Sequence, residues 1–188
     1  VRARLMAVLE AGLAKRVQIV WAPAGYGKPT AARGLSKKLG FPVCWYSLSP
    51  EDVEPTQFVG YCVRSLESAL GPLDVAQSSR NWRASDRSWR DLLGRLITAL
   101  HARATTQILL VLDDLHHIDG AQETLGALSL LLERAPDNIR FILLSRSRPS
   151  LSCLPRLTVQ GELGLVGVEM LRFTAEDMRI ILGDREHA

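Results

Sequence analysis

The chain reads as an α/β protein, a mostly parallel sheet between two layers of helices. Three observations point there. Short apolar runs alternate with longer stretches whose apolar residues recur at helical spacing. The run VQIVW empties into a glycine-rich turn. Two further runs, QILLVLDD and RFILLSR, end in a pair of acids and in an arginine. Runs that are apolar throughout suit strands buried on both faces, which is how parallel sheets sit.

The elements come in this order. Residues 2–13 form a helix with Leu5, Val8 and Leu9 on one face, and 17–21 the first strand. Residues 30–39 are the helix after the turn, and 43–48 the second strand. Between 56 and 70, Phe58, Tyr61, Cys62, Leu66 and Leu70 repeat at helical spacing, with Pro55 suiting the helix start. Residues 71–88 are polar and read as a long loop that Trp82 pins down. Trp89, Leu92, Leu93, Leu96, Ile97 and Leu100 form another helical stripe, read as core facing the sheet. The acidic strand is next, then a leucine-rich helix over 121–133 and the strand that ends at Arg146. Residues 170–173 read as an edge strand. Thr174 then reads as a helix N-cap, with Asp177 three residues on. The division expected is 1–173 as one nucleotide-binding domain and 174–188 as the start of a following helical segment.

Residues 22–28 carry A-x-x-x-x-G-K, with Ala22 first, Gly27 sixth and Lys28 seventh. This is a P-loop with Ala in place of the first Gly. Gly25 and Gly27 permit backbone conformations closed to other residues. The N–H groups of Pro23's successors Ala24, Gly25, Tyr26, Gly27 and Lys28 can then face one anion, and the helix adds its positive end. Lys28 supplies a mobile charge for β- and γ-phosphates. The next residue should be Ser or Thr, whose hydroxyl holds Mg²⁺; here it is Pro29. Pro29 brings no hydroxyl and no N–H, and it biases Lys28 away from the helical region. Thr30 offers a displaced hydroxyl. The same residues also suit a strand, turn and helix with no ligand.

Acids at the C-terminal end of a buried strand lie where open α/β sheets bind ligands. Asp113 would hold Mg²⁺, and Asp114 would orient or deprotonate an attacking water. The alternative is that both acids merely end a strand and cap the segment after it. Arg146 is placed to report on a γ-phosphate and to stabilise transition-state charge, or is a surface arginine in a loop.

Five blocks together resemble a known family: APAGYGK at 22–28, WYSLSPEDVEPTQF at 45–58, LVLDDLHHI at 110–118, LLSRSRP at 143–149 and LRFTAED at 171–177. The chain resembles the nucleotide-binding domain of the large LuxR-type regulators, the MalT-like branch of the STAND P-loop NTPases. That family's loop reads G-Y-G-K-T-T, so Pro29 stands where its magnesium-binding threonine does. The resemblance implies a P-loop NTPase three-layer sandwich in which the arginine strand is inserted between the P-loop and acidic strands. It implies Asp113 and Asp114 as the acidic pair and Arg146 as the γ-phosphate sensor. It places His116 where the family often has histidine, a structural role being expected.

Composition fits a globular domain. The chain has 188 residues, 47% apolar and 23% charged, with net charge +3. Its basic residues are scattered, which gives no nucleic-acid footprint. Cys44, Cys62 and Cys153 are widely spaced and suit buried thiols in a reducing, cytoplasmic setting better than disulfides or metal ligands. No stretch spans a membrane, and the start at Val1 suggests a fragment.

The function implied is an ATP-binding switch in a bacterial-type transcriptional regulator. Its ligands are ATP or ADP and Mg²⁺, and its hydrolysis is slowed by Pro29. Nucleotide state would control self-association or docking of other domains, and DNA would be bound only through a separate domain. One alternative is a degenerate P-loop kept as an interaction scaffold. Another is a small-molecule kinase, for which no acceptor site is visible.

Overall fold

The inner strands of the sheet are almost wholly buried because helices cover both their faces. A computed structural model describes residues 2–73, 75, 89–174 and 177. The elements are α1 (Ala3–Gly12), β1 (Val17–Trp21), α2 (Lys28–Ser36), β2 (Val43–Ser47), α3 (Pro55–Leu70), α4 (Trp89–Arg103), β3 (Ile108–Asp113), α5 (Gln122–Arg134), β4 (Ile139–Ser145), α6 (Leu154–Val159), β5 (Leu163–Val166) and α7 (Val168–Leu171). Short 3₁₀ turns cover Pro50–Val53 and Leu115–Ile118. The five strands run parallel in the order β2-β3-β4-β1-β5. The arginine strand β4 therefore lies between β1 and β3, as the resemblance implies.

Alternation along the strands divides the core into two layers. Leu110, Leu112, Phe141 and Leu143 face α3, α4 and α5, where Phe58, Leu96 and Leu128 are fully buried. Leu109, Val111, Ile142 and Leu144 face α1 and α2, against Leu5, Leu9 and Leu35. The three cysteines are buried and free. Burial pushes the Cys44 thiol up to about 11 and Cys62 higher still, so neither is a reactive thiolate.

The 45–58 block is structural in detail. Ser49 and Asp52 cap the Pro50–Val53 turn reciprocally, and the Glu54 carboxylate accepts the Thr56 and Gln57 N–H groups ahead of α3. Thr124 of α5 donates to the Val53 carbonyl at 2.6 Å. These bonds hold the β2–α3 connection against the far helix.

Two expectations need correction. Residues 168–171 are the short helix α7, not part of an edge strand. The edge strand is β5, with Leu163 beside Val17 and Val166 beside Val20. Gly161, at φ 69°, turns the chain back from α6 into it. Gly164 lies against Gln18, where an added Cβ would stand 3.4 Å from Gln18 Cγ. The second correction concerns α2, which begins at Lys28 and takes Pro29 into its first turn. The polar stretch expected as a loop, with Trp82, lies largely outside the described residues. No helix among the described residues is long and apolar enough to cross a membrane.

Arg16 fastens the end of the sheet opposite the P-loop. Its guanidinium donates to the Ala135 carbonyl at 2.7 Å, to Glu162 at 3.0 Å and to Asp137. One side chain thus joins the entries to β1, β4 and β5. Arg16→Ala should cost about 2 kcal/mol, discounting the exposed Asp137. For a domain of this size that lowers the melting temperature by about 4–8 °C, which a thermal melt reads directly.

Candidate functional site

Past Trp21 the chain leaves the sheet, and the Ala22 N–H bonds the Ser145 carbonyl at 3.2 Å. That bond ties the root of the P-loop to the end of β4. Gly25 and Gly27 take φ of 87° and 72°. An added Cβ would meet nothing within 4 Å at either position, so glycine is required for backbone conformation and not for space. Gly27 caps α2, and its carbonyl accepts the Ala31 N–H at 2.9 Å. Pro29, one residue inside the helix, lacks an N–H where no intrahelical partner exists anyway. Lys28 is helical despite the steric bias that a following proline imposes.

Lys28 is buried, and its ammonium donates to the Ala22 carbonyl at 2.6 Å and the Pro23 carbonyl at 3.1 Å. Burial pushes its pKa down, Asp114 and Asp113 pull it up, and Arg146 pushes it down. Those three partners come from the ends of β3 and β4, so the motifs expected to meet do meet. Pro23, Ala24, Gly25 and Thr30 are exposed, while Tyr26, Gly27 and Pro29 are half-buried.

Asp113 ends β3 on the same face as Leu109 and Val111, the face covered by α2. It is buried, and its Oδ1 accepts the Asp114 N–H at 2.9 Å. Burial raises its pKa, opposed by that hydrogen bond and by the charges of Arg33 and Lys28. Asp114 takes φ 55°, the only positive φ outside glycine among the described residues. Asp tolerates this region better than most residues. The turn swings the chain from β3 into Leu115–Ile118, and the Asp114 side chain makes no capping hydrogen bond there. Capping is therefore not what the second acid does.

Arg146 is exposed one residue beyond β4. Close behind it, Ser147 donates to Asp119 at 2.7 Å and Arg148 lies over the Trp21 ring at 5.8 Å. Among the described residues no group of three or more His, Cys, Asp and Glu side chains forms a metal site. A cation held by one carboxylate and by phosphates needs no such cage.

Sequence reasoning does not single out two residues at this edge, Arg2 and Ser145. Arg2 donates to the carbonyls of Leu171, Arg172 at 3.0 Å and Tyr26 at 3.5 Å, and lies 4.3 Å over the Phe173 ring. It joins the P-loop to the segment leaving the sheet. Ser145 has a buried hydroxyl with no partner among the described residues, and so do both ring nitrogens of His116. No periodicity signals a lone arginine before a helix, and an unpartnered atom has no mark in sequence.

The sequence profile described as an AAA domain matches residues 13–148. The chain belongs to the AAA domain family. The HTH-type transcriptional regulator MalT of Cronobacter sakazakii is 31% identical over 183 residues, covering 95% of this chain and 19% of that protein. MalT of Serratia proteamaculans is 33% identical over 185 residues, with the same coverage. The serine/threonine-protein kinase PknK of Mycobacterium tuberculosis is 28% identical over 97% of this chain and 16% of its own length. The chain thus spans under a fifth of the curated relatives it matches. A STAND protein with a tetratricopeptide repeat sensor from Pyrococcus horikoshii has the same fold, with a TM-score of 0.65 at 16% identity over 99% of this chain and 25% of that one. The resemblance to MalT-like regulators, drawn from five motif blocks, is borne out.

Burial of the Asp113 carboxylate makes the stability of the fold depend on pH. Its folded pKa lies above its unfolded value, so the ionised carboxylate weakens the fold at neutral pH. The penalty fades as pH falls through the folded pKa and is gone below the ordinary value of 3.8. Asp113→Asn should therefore raise the melting temperature of nucleotide-free protein at pH 7, with a smaller gain at pH 4. Melts at the two pH values read both.

Proposed function

We infer that this domain is an ATP-binding switch within a larger bacterial-type transcriptional regulator, its nucleotide state controlling assembly. The observation that carries the reading is β4 between β1 and β3, which brings the P-loop, Asp113, Asp114 and Arg146 to one sheet edge. ATP would favour an assembly-competent arrangement and ADP would reset it, a difference in affinity biasing two states. The partners are further copies of the chain or other domains of the regulator, and DNA is met only through a separate domain. Thr174 and Asp177 exchange capping hydrogen bonds, which supports a helix starting where a following segment is expected.

In this reading the N–H groups of Ala24, Gly25, Tyr26, Gly27 and Lys28 take the β-phosphate. The Lys28 ammonium leaves the Ala22 and Pro23 carbonyls for it. The carbonyls hold the charge where an anion would arrive, so the cradle fits the ligand. Asp113 supplies the protein carboxylate for Mg²⁺, which would offset phosphate charge, and Thr30 the nearest hydroxyl along the loop. Water would bond to the γ-phosphorus as the bond to the β–γ bridging oxygen breaks. Asp114 would take the water's proton, and Arg146 would sense the γ-phosphate and offset its charge.

Pro29 leaves the metal without its usual hydroxyl, which favours slow turnover. The same residue supports a second reading, a degenerate P-loop kept as a scaffold. Titration separates them. At 100 times its dissociation constant ATP should add about 2.7 kcal/mol, a melting shift of about 5–10 °C. No shift at millimolar ATP, with or without Mg²⁺, would favour the scaffold.

Two variants test the residue roles. Pro29→Thr should tighten Mg·ATP binding and speed phosphate release by about 10- to 100-fold, the worth of 1.5–3 kcal/mol at a charged site. Equal rates before and after would mean that Thr30 or a water serves the metal. Lys28→Ala should weaken ADP binding far more than Arg146→Ala, because only Lys28 reaches the β-phosphate. Equal losses in ADP titrations would show the arginine assignment to be wrong.

A further inference from the structure

The Leu115–Ile118 turn brings His116 back beside the acid pair. Its ring packs against His117 with centroids 4.4 Å apart, and its side chain is only 15% exposed. Both ring nitrogens are buried, and neither has a hydrogen-bond partner among the described residues. Burying such an atom with no partner is costly. A histidine kept only for packing would carry that cost for nothing, since an apolar ring fills the same space.

The geometry indicates what the ring faces. Nδ1 stands 3.7 Å from Asp114 Oδ1, about 0.5 Å beyond a hydrogen bond. The Asp114 carboxylate is nearly half exposed and makes no hydrogen bond among the described residues, so a small rotation closes the gap. Around the ring, Arg146 and His117 oppose a positive imidazole while Asp114 and Asp119 favour one. Burial is the largest influence and keeps the ring on the neutral side of its ordinary value. A neutral ring carries one N–H, and a carboxylate beside Nδ1 favours placing it there. Ser145, with its own unpartnered hydroxyl, lies on the sheet face of Leu143, where Leu115 and Ile118 also pack. The unmet polar atoms thus gather at the edge where the acids end.

We propose that His116 is a positioning residue for Asp114, its Nδ1–H holding the carboxylate in the orientation that receives the proton of the attacking water. The proposal rests on Asp114 being that acceptor. His116 touches neither nucleotide nor metal and carries no proton of the reaction.

The test uses two variants and a spectroscopic readout. His116→Asn keeps an N–H two bonds from Cβ, at the position of Nδ1. His116→Phe keeps the ring and loses the N–H. Phosphate release at saturating Mg·ATP should fall about tenfold in His116→Phe, the worth of one hydrogen bond to a charged group, while the ADP dissociation constant stays within about twofold. His116→Asn should recover most of the rate. Full activity in the Phe variant, or Asn no better than Phe, overturns the proposal, since packing would then account for the residue.

Long-range ¹H–¹⁵N spectra of the nucleotide-free domain give an independent reading. His116 should carry its proton on Nδ1, and Asp114→Ala should move it to Nε2. An Nε2–H tautomer that ignores Asp114→Ala overturns the contact. If the unsubstituted domain releases no phosphate, the hydrolytic reading fails and the catalytic half of the proposal with it. The tautomer experiment still decides whether His116 and Asp114 are partners.

Discussion

The parallel register that places β4 between β1 and β3 sets where every site residue lies. Trp21 is level with Ser145, and Leu112 is level with Leu143. The carboxyl ends of the three strands therefore fall within about two residues of one another. Because the strands are parallel, the chain leaves each at the same edge, and the residue just past each strand faces the same space. Sequence-distant groups, the P-loop, the acid pair and Arg146, become neighbours without any long loop having to reach. The burial that fixes this register is apolar and extends across both faces, so the site rests on strands held from both sides.

Placement alone does not make a phosphate site; charge and backbone do. The period of two sends Asp113 to the α2 face, beside Lys28 and Arg33. The left-handed turn at Asp114 then sends the next residue elsewhere, so adjacent acids have different surroundings. One is buried with a raised pKa; the other is half exposed beside a buried imidazole. Such divergence suits two roles, a metal ligand and a proton acceptor. On the loop, two left-handed glycines and a helix start present N–H groups, while carbonyls of Ala22 and Pro23 hold the lysine charge in the meantime.

Much of this was legible in the sequence for a physical reason. Strands buried on both faces leave continuous apolar runs, so β1, β3 and β4 stand out within a residue or two, and their motif residues come at fixed offsets from the run ends. The helices α3, α4 and α5 each pack one apolar stripe on the sheet, which spacing reveals. The edge strand β5 was not legible. It is four residues long, has Gly164 inside, and is partly open to solvent, so it lacks both alternation and an apolar run. Residues 170–173 looked like a strand because Met170, Leu171 and Phe173 are apolar, yet Arg2 holds that segment by its carbonyls instead. The six-residue α6 is too short to show a stripe. Contacts such as those of Arg2 and Arg16 join positions over a hundred residues apart, and no local pattern encodes them.

The central claim is that the loop at 22–28 is a phosphate cradle whose lysine is held in readiness by its own carbonyls. A crystal structure of the domain with ADP tests it most directly. The account predicts the β-phosphate against the N–H groups of Gly25, Tyr26, Gly27 and Lys28, with the Lys28 ammonium moved off the Ala22 and Pro23 carbonyls and onto the phosphate. ADP bound elsewhere on the chain, with both lysine–carbonyl bonds intact, would contradict it.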